Sequence, residues 1–367
     1  MLSQTSVADS AASSPVWRPL KLRYLFGALL LLLLVAAGYE VGVLYGRLVQ
    51  PVQGYDGEQF VEIPPGASVP EIGQLLVDAG VVSDPATFRW ALRLTGEGRR
   101  LQSGEYRFDR PLSAVAVVRT LASGSVHLVS ITFPEGLRID EMAQVFESSG
   151  FGTAASFSAA AADPEPIRAL DPDATDLEGY LFPDTYRVPR VTSAEALVRV
   201  MTQGFLRAFD SDLRQAAAAR ELSVRQVVTL ASLVEKETAR ADERAVVAGV
   251  YTNRLRIGMG LQCDPTVIYA LHREGLYDGN LTRANLQFDS PYNTYRYPGL
   301  PPGPIAAPGR AAFEAAVHPA DVDYLFFVSR NDGSHAFART LREHNRNVRE
   351  HQIQYFRDRR RQQARRP

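Results

Sequence analysis

The sequence of 367 residues predicts an α+β protein with a single N-terminal transmembrane helix. Three observations favour this class: an apolar run near the N-terminus, a strand–turn–helix pattern that occurs twice, and helical periodicity in the C-terminal half. Hydrophobic residues make up 46% of the chain and charged residues 22%, as in ordinary globular proteins. A disordered or collagen-like chain is therefore excluded.

Charge and cysteine content exclude further classes. The formal net charge of -1 provides no bulk attraction toward nucleic acid, so we expect no nucleic-acid partner. The single cysteine, Cys263, excludes an intramolecular disulfide and a cysteine-rich zinc site. His335, His344 and His351 lack a carboxylate or cysteine pattern that would complete a metal site. We therefore expect neither a metal nor another cofactor.

The apolar run over residues 24–46 predicts the membrane segment. As a helix it is about 33 Å long, enough to cross a bilayer core. Arg18, Lys21 and Arg23 precede it, so the positive-inside rule places residues 1–23 in the cytoplasm and everything after the span outside. Small residues after the run also fit a cleaved signal peptide, but the long leader favours an uncleaved anchor.

An internal duplication follows the span. Residues 60–82 match residues 130–152 at a constant offset of 70, through the pairs Pro64 and Pro134, Gly66 and Gly136, Val69 and Ile139, Glu71 and Glu141, Gln74 and Gln144, and Gly80 and Gly150. Each copy reads as a strand, a Pro-x-Gly turn and a helix that ends at a glycine.

Three further regions frame the C-terminal half. A strand over 106–108 and a helix over 113–124 complete a small module over residues 55–127. Residues 153–172 are typical of a linker or surface excursion. Residues 177–189 are rich in aromatic residues and proline, which fits either a buried core loop or the wall of a cleft that binds an extended ligand.

The chemistry is predicted on one long helix over residues 223–258, closed at Gly258 or interrupted at Gly249. Its apolar stripe is formed by Val227, Leu230, Leu233 and Val234. Glu237 lies in the middle of this stripe, where desolvation would raise its pKa as a general acid requires. The alternative is a buried salt bridge between Glu237 and an arginine. Glu235 points away from the apolar stripe. The pattern of Lys236, Glu243 and Arg244 is typical of an ordinary solvated face.

The chain then alternates between loops and short regular elements. Residues 259–272 give a loop and a helix opened by Asp264 and Pro265. The Pro-rich stretch 288–309 is typical of a binding loop. A hairpin around Asn331, Asp332 and Gly333 precedes a helix from about Leu341, and residues 351–367 form a basic tail able to contact anionic wall polymer or lipid.

Long motifs connect the chain to a known family. The C-terminal half contains LASLVEKETARADERAVVAGVYTNRL, QCDPTVIYAL and YNTYRYPGLPPGPIAAPG. In these motifs, and over roughly residues 20–350, the chain closely resembles the MltG/YceG-like endolytic murein transglycosylases. The resemblance implies an extracytoplasmic LysM-like module (residues 55–127) and a mixed α+β catalytic domain (residues 128–350). One departure is Cys263, where the family commonly has threonine.

The resemblance also implies an activity and its catalytic residue. The second glutamate of the EKET motif, Glu237, is the expected acid, which favours the acid over the salt bridge. It would cleave the MurNAc–GlcNAc bond of nascent glycan strands, give 1,6-anhydroMurNAc ends and terminate strand elongation. Candidate substrate-binding residues are Tyr180, Asp184, Tyr186, Gln262, Asp264, Tyr292, Asn293 and Tyr295. The expected partners are peptidoglycan strands, the lipid bilayer, and peptidoglycan synthases with division or elongation proteins.

Two other classes remain open. A muramidase would use water and a second carboxylate, such as Asp184 or Asp264, across the cleft from Glu237. A non-catalytic wall-binding protein would keep the module and the anchor but lose the acid. The intact EKET motif argues against the non-catalytic class, and the chemistry of the product ends distinguishes the muramidase.

Overall fold

The computed structural model describes residues 20–357, with side chains from Tyr24 onward. The chain divides into two compact units, Met1–His127 and Leu128–Pro367. Predictions that concern residues 1–19 and 358–367, which include Arg18 and most of the basic tail, lie outside the described residues.

The N-terminal unit begins with α1 (Leu20–Val49). Its Tyr24–Val49 segment is long and apolar enough to cross a membrane. The helix extends past the predicted end at residue 46 because its last turns have protein to pack against: Leu48 is buried and Leu44 lies against the same core.

The rest of this unit is a βααβα module. Its elements are β1 (Gln59–Ile63), α2 (Val69–Asp78), α3 (Pro85–Thr95), β2 (Gly104–Phe108) and α4 (Ala114–Ser123). The two strands pair antiparallel with Val61 opposite Tyr106. Fully buried apolar side chains from the helices and strands, including Leu76, Phe88 and Phe108, form one core, and each such side chain contributes roughly 1.5–3 kcal/mol.

The C-terminal unit begins with the same order of elements. These are β3 (Leu128–Thr132), α5 (Ile139–Ser148), α6 (Ala154–Ala161), β4 (Thr185–Pro189) and α7 (Ala194–Ala208). A helical region and a hairpin follow: α8 (Ser211–Ala219), α9 (Val224–Glu237), α10 (Arg244–Arg256), α11 (Asp264–Arg273), α12 (Arg310–Val317), β5 (Phe326–Ser329), β6 (His335–Ala338) and α13 (Leu341–Val348). Short 3₁₀ turns lie at Glu165–Ile167 and Asn285–Gln287, and α13 continues as a π-helix over Arg349–Gln354.

The predicted duplication is confirmed in conformation. Helices α2 and α5 start and end at positions that differ by the offset of 70, and in each the glutamate three residues after the N-cap accepts a hydrogen bond from the N-cap backbone N–H. The turn glycines Gly66 and Gly136 have φ of 78° and 80°, and the glycines after the helices, Gly80 and Gly150, have φ of 69° and 77°. Only glycine adopts these angles without strain, which explains their occurrence in both copies.

The duplication extends further than the sequence comparison indicated. Tyr106 in β2 donates its hydroxyl hydrogen to the Gln102 carbonyl at 2.8 Å, and Tyr186 in β4 donates to the Phe182 carbonyl at 2.6 Å. Both acceptors lie four residues before the tyrosine. The second copy is longer, so the offset changes from 70 to 80 and the simple alignment ends before these strands.

The structure corrects two predicted elements and confirms a third. The predicted linker 153–172 contains α6, capped by Thr153, whose hydroxyl accepts from the Ser156 N–H. The long helix breaks at residues 238–243 rather than at Gly249, because Thr238 is extended with φ of -143°. The hairpin prediction is confirmed: β5 and β6 pair antiparallel around Asn331 and Gly333, both at positive φ.

Candidate active site

A polar cleft of about 430 Å³ lies in the C-terminal unit, at the C-terminal end of α9. Three structural regions line it: the end of α9 with α10, the segment that opens α11 with the Pro-rich loop, and the hairpin with α13. The lining residues are Glu237, Arg254, Gln262, Asp264, Tyr295, Phe326, Phe327, Val328, Ser329, His335, Leu341, His344 and Asn345.

Glu237 is the last residue of α9 and lies within the cleft lining. The predicted stripe of Val227, Leu230, Leu233 and Val234 is fully buried and fixes the helix in the core. The Thr238 N–H still bonds to the Val234 carbonyl at 3.2 Å, but its extended conformation ends the helix there. The packing of this buried stripe therefore positions the Glu237 carboxylate in the cleft and fixes the backbone of Glu237.

Two buried side chains bond to the Glu237 carboxyl group. Tyr251 in α10 donates its hydroxyl hydrogen to Oε1 at 2.9 Å, and the buried Cys263 thiol also hydrogen-bonds to the group. Burial raises the pKa of Glu237, and the nearby Asp264 adds to this; the bonds from Cys263 and Tyr251 and the charge of His335 oppose it. Among residues 20–357, no lysine or arginine forms an ion pair with Glu237, so the alternative of a buried salt bridge to an arginine does not match the structure.

A hydrogen-bonded carboxylate and imidazole border the cleft. His335 at the start of β6 bonds through Nδ1 to Glu243 Oε2 at 2.6 Å, and its backbone N–H donates to Glu243 Oε1 at 2.9 Å. The two side chains are only 11% and 10% exposed. Thr238 Oγ1 donates to the same carboxylate at 3.4 Å, so this pair ties the hairpin to the break after α9.

Asp264 and Tyr295 form another polar contact in the cleft lining. The Tyr295 hydroxyl donates to Asp264 Oδ1 at 2.5 Å. Gln262, two residues earlier, has φ of 49°, and its N–H donates to the Thr294 carbonyl at 3.2 Å. The structure thus brings three of the predicted substrate-binding residues together with Glu237.

Of the three residues expected on a solvated face, Lys236 is exposed, whereas Glu243 is buried and Arg244 is half-buried. The Glu235 side chain is 6% exposed, accepts from the Gly309 N–H at 3.1 Å and lies 3.8 Å from Arg244. Lys236 Nζ donates to the Gly136 carbonyl at 3.0 Å, across the turn of the second copy. Helical periodicity did not reveal these contacts because their partners are distant in sequence.

Tyr180, Asp184 and Tyr186 lie outside this cleft. Tyr180 is buried, and its hydroxyl donates to Asp171 at 2.6 Å. Asp184 is exposed and accepts from the Thr185 N–H at 2.7 Å. Tyr186, as described above, is bonded within its own strand region. Of the two interpretations of residues 177–189, these positions match the buried core loop.

Tyr292 and Asn293 also lie outside the cleft lining. The Tyr292 ring packs on Tyr269 with centroids 5.0 Å apart, and Arg273 lies over it at 5.6 Å. Asn293 is fully buried, and its amide donates to the Leu286 and Phe288 carbonyls at 3.0 and 2.7 Å. Asn293 therefore shapes the loop that presents Tyr295.

The hairpin side of the cleft was missed by the sequence analysis. Arg254 donates to the Leu325 carbonyl at 2.6 Å and to the Leu261 carbonyl at 2.5 Å, and so joins the hairpin to the segment before α11. The sequence indicates His335 only as a candidate metal ligand, although its position beside the Asn-Asp-Gly turn fixes it at a strand end. The one sequence feature that could have indicated this role of Arg254 is its position on an otherwise apolar helix face.

Comparison with known proteins decides the family. The YceG-like family matches residues 61–350. The chain belongs to the YceG-like family. The endolytic murein transglycosylase of Bacillus subtilis (strain 168) is 33% identical over 325 residues, which cover 83% of this chain and 88% of that protein. The endolytic murein transglycosylase of Streptococcus pneumoniae serotype 2 (strain D39) is 32% identical over 328 residues, with 79% of this chain and 58% of that protein covered.

A solved structure supports the YceG-like fold directly. The crystal structure of a YceG-like protein from Listeria monocytogenes matches with a TM-score of 0.55 and 31% sequence identity. The match covers 80% of this chain and 99% of that one. The mixed α+β fold and the family resemblance predicted from the sequence are therefore confirmed.

Proposed function

We propose that this YceG-like chain is a membrane-anchored endolytic murein transglycosylase. It would cleave the MurNAc–GlcNAc bond within nascent glycan strands, leave 1,6-anhydroMurNAc ends and so end strand elongation. The observation that carries the proposal is Glu237, a desolvated carboxyl group in a polar cleft without a cationic partner among the described residues. The curated names of its relatives agree with this activity.

The reaction needs a proton donor at the glycosidic oxygen. Glu237 carries that proton because burial raises its pKa. As the bond between the MurNAc anomeric carbon and the GlcNAc oxygen breaks, the oxygen takes the proton and leaves as a hydroxyl group. The MurNAc C6 hydroxyl oxygen then attacks its own anomeric carbon and gives its proton to a base in the cleft, in the simplest scheme the Glu237 carboxylate formed in the first step, without consuming water. Intramolecular attack replaces an external nucleophile, so a second nucleophilic carboxylate is not needed.

A muramidase is the second candidate function. Asp264 favours it, because this carboxylate lines the same cleft as Glu237. Asp184, the other residue considered for that role, lies outside the cleft lining. We favour the transglycosylase because the Tyr295 hydroxyl already occupies Asp264 Oδ1, which makes Asp264 better suited to hold a sugar or to stabilise developing positive charge.

Substrate contacts follow from the same cleft. We propose Gln262, Asp264 and Tyr295 as the sugar-binding residues. Tyr180, Asp184, Tyr186, Tyr292 and Asn293 would instead support the fold around the cleft.

The anchor and the domains complete the proposal. Helix α1 would span the cytoplasmic membrane once, with residues 1–23 in the cytoplasm and the rest of the chain outside. Residues 55–127 would form a LysM-like module that binds the wall, residues 128–350 the catalytic domain and residues 351–367 a basic tail. The partners would be glycan strands, with peptidoglycan synthases and division or elongation proteins.

Mass spectrometry of the products tests the activity. Uncrosslinked murein glycan strands are incubated with the full-length protein in detergent, beside Glu237→Gln and the matched variant Glu235→Gln. The wild type and Glu235→Gln should release internal fragments with 1,6-anhydroMurNAc ends, and Glu237→Gln should release none. Reducing MurNAc ends would establish the muramidase instead. Strand binding without cleavage by the wild type would support a non-catalytic wall-binding protein.

A further inference from the structure

The Glu243 and His335 pair is built like an oriented base. The Glu243 carboxylate receives two hydrogen bonds from the same residue, the His335 ring at 2.6 Å and its backbone N–H at 2.9 Å. An ionised carboxylate only accepts hydrogen bonds, so His335 Nδ1 carries the hydrogen. In the neutral imidazole the lone pair is then on Nε2, the ring nitrogen that does not contact Glu243.

The ring is held rigidly beside the cleft. It packs edge-on against Phe327 with centroids 5.4 Å apart, and Phe327 packs on Tyr251, the residue that donates to Glu237. His335 and Glu237 line the same cavity of about 430 Å³. The His335 imidazole and the Glu237 carboxyl group therefore line the same cavity but do not form an ion pair with each other.

We propose that His335 is the catalytic base that takes the proton from the attacking C6 hydroxyl, with Glu243 as its positioning residue. This inference deepens the proposed function and rests on it. It divides between two residues the two proton transfers that would otherwise fall on Glu237 alone.

The step balances without an added reagent. The Glu237 proton goes to the leaving GlcNAc oxygen as its bond to the anomeric carbon breaks. The C6 oxygen forms the new bond to that carbon, and its proton goes to His335 Nε2. The Glu243 carboxylate stabilises the imidazolium, and return of that proton to Glu237 restores the starting state. No water is consumed and no redox change occurs.

Other groups in the cleft are less suited to this role. The Tyr295 hydroxyl donates to Asp264, and the Tyr251 hydroxyl donates to Glu237. His344 also lines the cleft, but burial and the Arg254 charge lower its pKa, which makes it a weaker base. Within residues 20–357, His335 is the cleft imidazole with a carboxylate partner.

Substitution with chemical rescue tests the proposal. In the full-length protein, His335→Ala and His335→Gln should lower kcat by about 10²- to 10⁴-fold with little change in KM. Added imidazole should restore part of the activity of His335→Ala, and should not restore Glu237→Gln. The exposed His318, changed to Gln, is the matched control and should keep wild-type kcat with no response to imidazole.

Glu243→Gln tests the positioning role separately. Its amide oxygen must accept the His335 backbone N–H, so its NH₂ group faces Nδ1 and forces the hydrogen onto Nε2. The variant should fold and lose kcat as strongly as His335→Gln. It also decides the outcome if the His335 variants fail to fold.

Three results would overturn the proposal: wild-type kcat in His335→Gln, a folded and strand-binding His335→Ala that imidazole does not rescue, or wild-type kcat in Glu243→Gln. The product ends test the proposed function independently. Reducing ends released by the wild type would contradict the transglycosylase. If the release of reducing ends still depended on His335, the base would act on water rather than on the C6 hydroxyl.

Discussion

The Tyr251 hydroxyl donates to Glu237 Oε1 at 2.9 Å, from one helix to the end of the helix before it. Tyr251 is fully buried and also contacts the Cys263 thiol, so Glu237 receives a hydrogen bond from each of two neutral groups. These bonds favour the ionised form of Glu237, while burial favours the protonated form. The balance between the two effects sets the pH range in which the acid is protonated.

Tyr251→Phe should therefore shift the pH profile of cleavage to the alkaline side. Loss of the hydrogen bond raises the pKa of Glu237, and because the protonated form is the active one, activity persists to higher pH. The loss of the bond should cost about 1 kcal/mol of stability. The rate of strand cleavage as a function of pH measures the shift. Tyr180→Phe, which removes a buried hydroxyl outside the cleft, should leave the alkaline limb unchanged.

Glu178 should make stability depend on pH. Burial, helped by the charges of Asp176 and Asp140, raises the pKa of Glu178 to about 8. The folded state therefore holds this proton more tightly than the unfolded chain, so its contribution is complete in acid and is lost as pH rises from about 5 to about 8. The midpoint temperature of wild-type unfolding should fall over this range. Glu178→Gln should flatten the dependence, and the exposed Glu274→Gln should keep the wild-type slope.

Arg225 should be far more important for stability than Arg310. Arg225 pairs with Asp171 at 2.7 Å, whose side chain is 2% exposed, and donates to the Pro302 carbonyl at 2.6 Å. Arg225→Gln leaves a buried carboxylate without its cation and should cost about 3–5 kcal/mol. Arg310 makes two ion pairs at 2.9 Å but is 47% exposed, so Arg310→Gln should cost about 1 kcal/mol or less. Denaturant unfolding of both variants compares them, and equal losses would contradict the argument.

Two tyrosines should separate folding from substrate binding. Tyr186→Phe removes a hydrogen bond to the Phe182 carbonyl and should cost about 1 kcal/mol of stability without changing the KM for glycan strands. Tyr295→Phe frees Asp264 in the cleft and should raise KM or lower kcat at little cost in stability. Steady-state cleavage kinetics and thermal unfolding distinguish these outcomes. A raised KM in Tyr186→Phe would return this residue to the binding site.

Local patterns were sufficient to predict much of the fold and to place Glu237 as the candidate acid. The 3.6-residue period of the stripe on α9 identified Glu237, because residues on one helix face share one environment whatever packs against it. The duplicated turns were predicted because glycine at Gly66 and Gly136 meets a purely local backbone requirement. The hairpin was likewise predicted from its Asn-Asp-Gly turn.

Predictions failed where distant residues decide the environment. The sequence pattern places Glu243 on a solvated face, yet it is buried and bonds to His335. Tyr180 and Asn293 looked available to a ligand, yet buried partners already satisfy their polar atoms. Composition cannot distinguish a polar group that awaits a ligand from one that has found a partner within the fold.

The sequence by itself determined the apolar N-terminal helix, the repeated strand–turn–helix units, the family and the choice of Glu237 as the candidate acid, since each depends on a local pattern or on a contiguous motif. Only the tertiary structure decided which polar residues share the cleft with that acid. Glu243 and His335 are 92 residues apart, and chain folding alone brings them within 2.6 Å. A hydrogen bond of that kind has no sequence period, because it depends on how α10 and the hairpin pack rather than on the residues beside either partner.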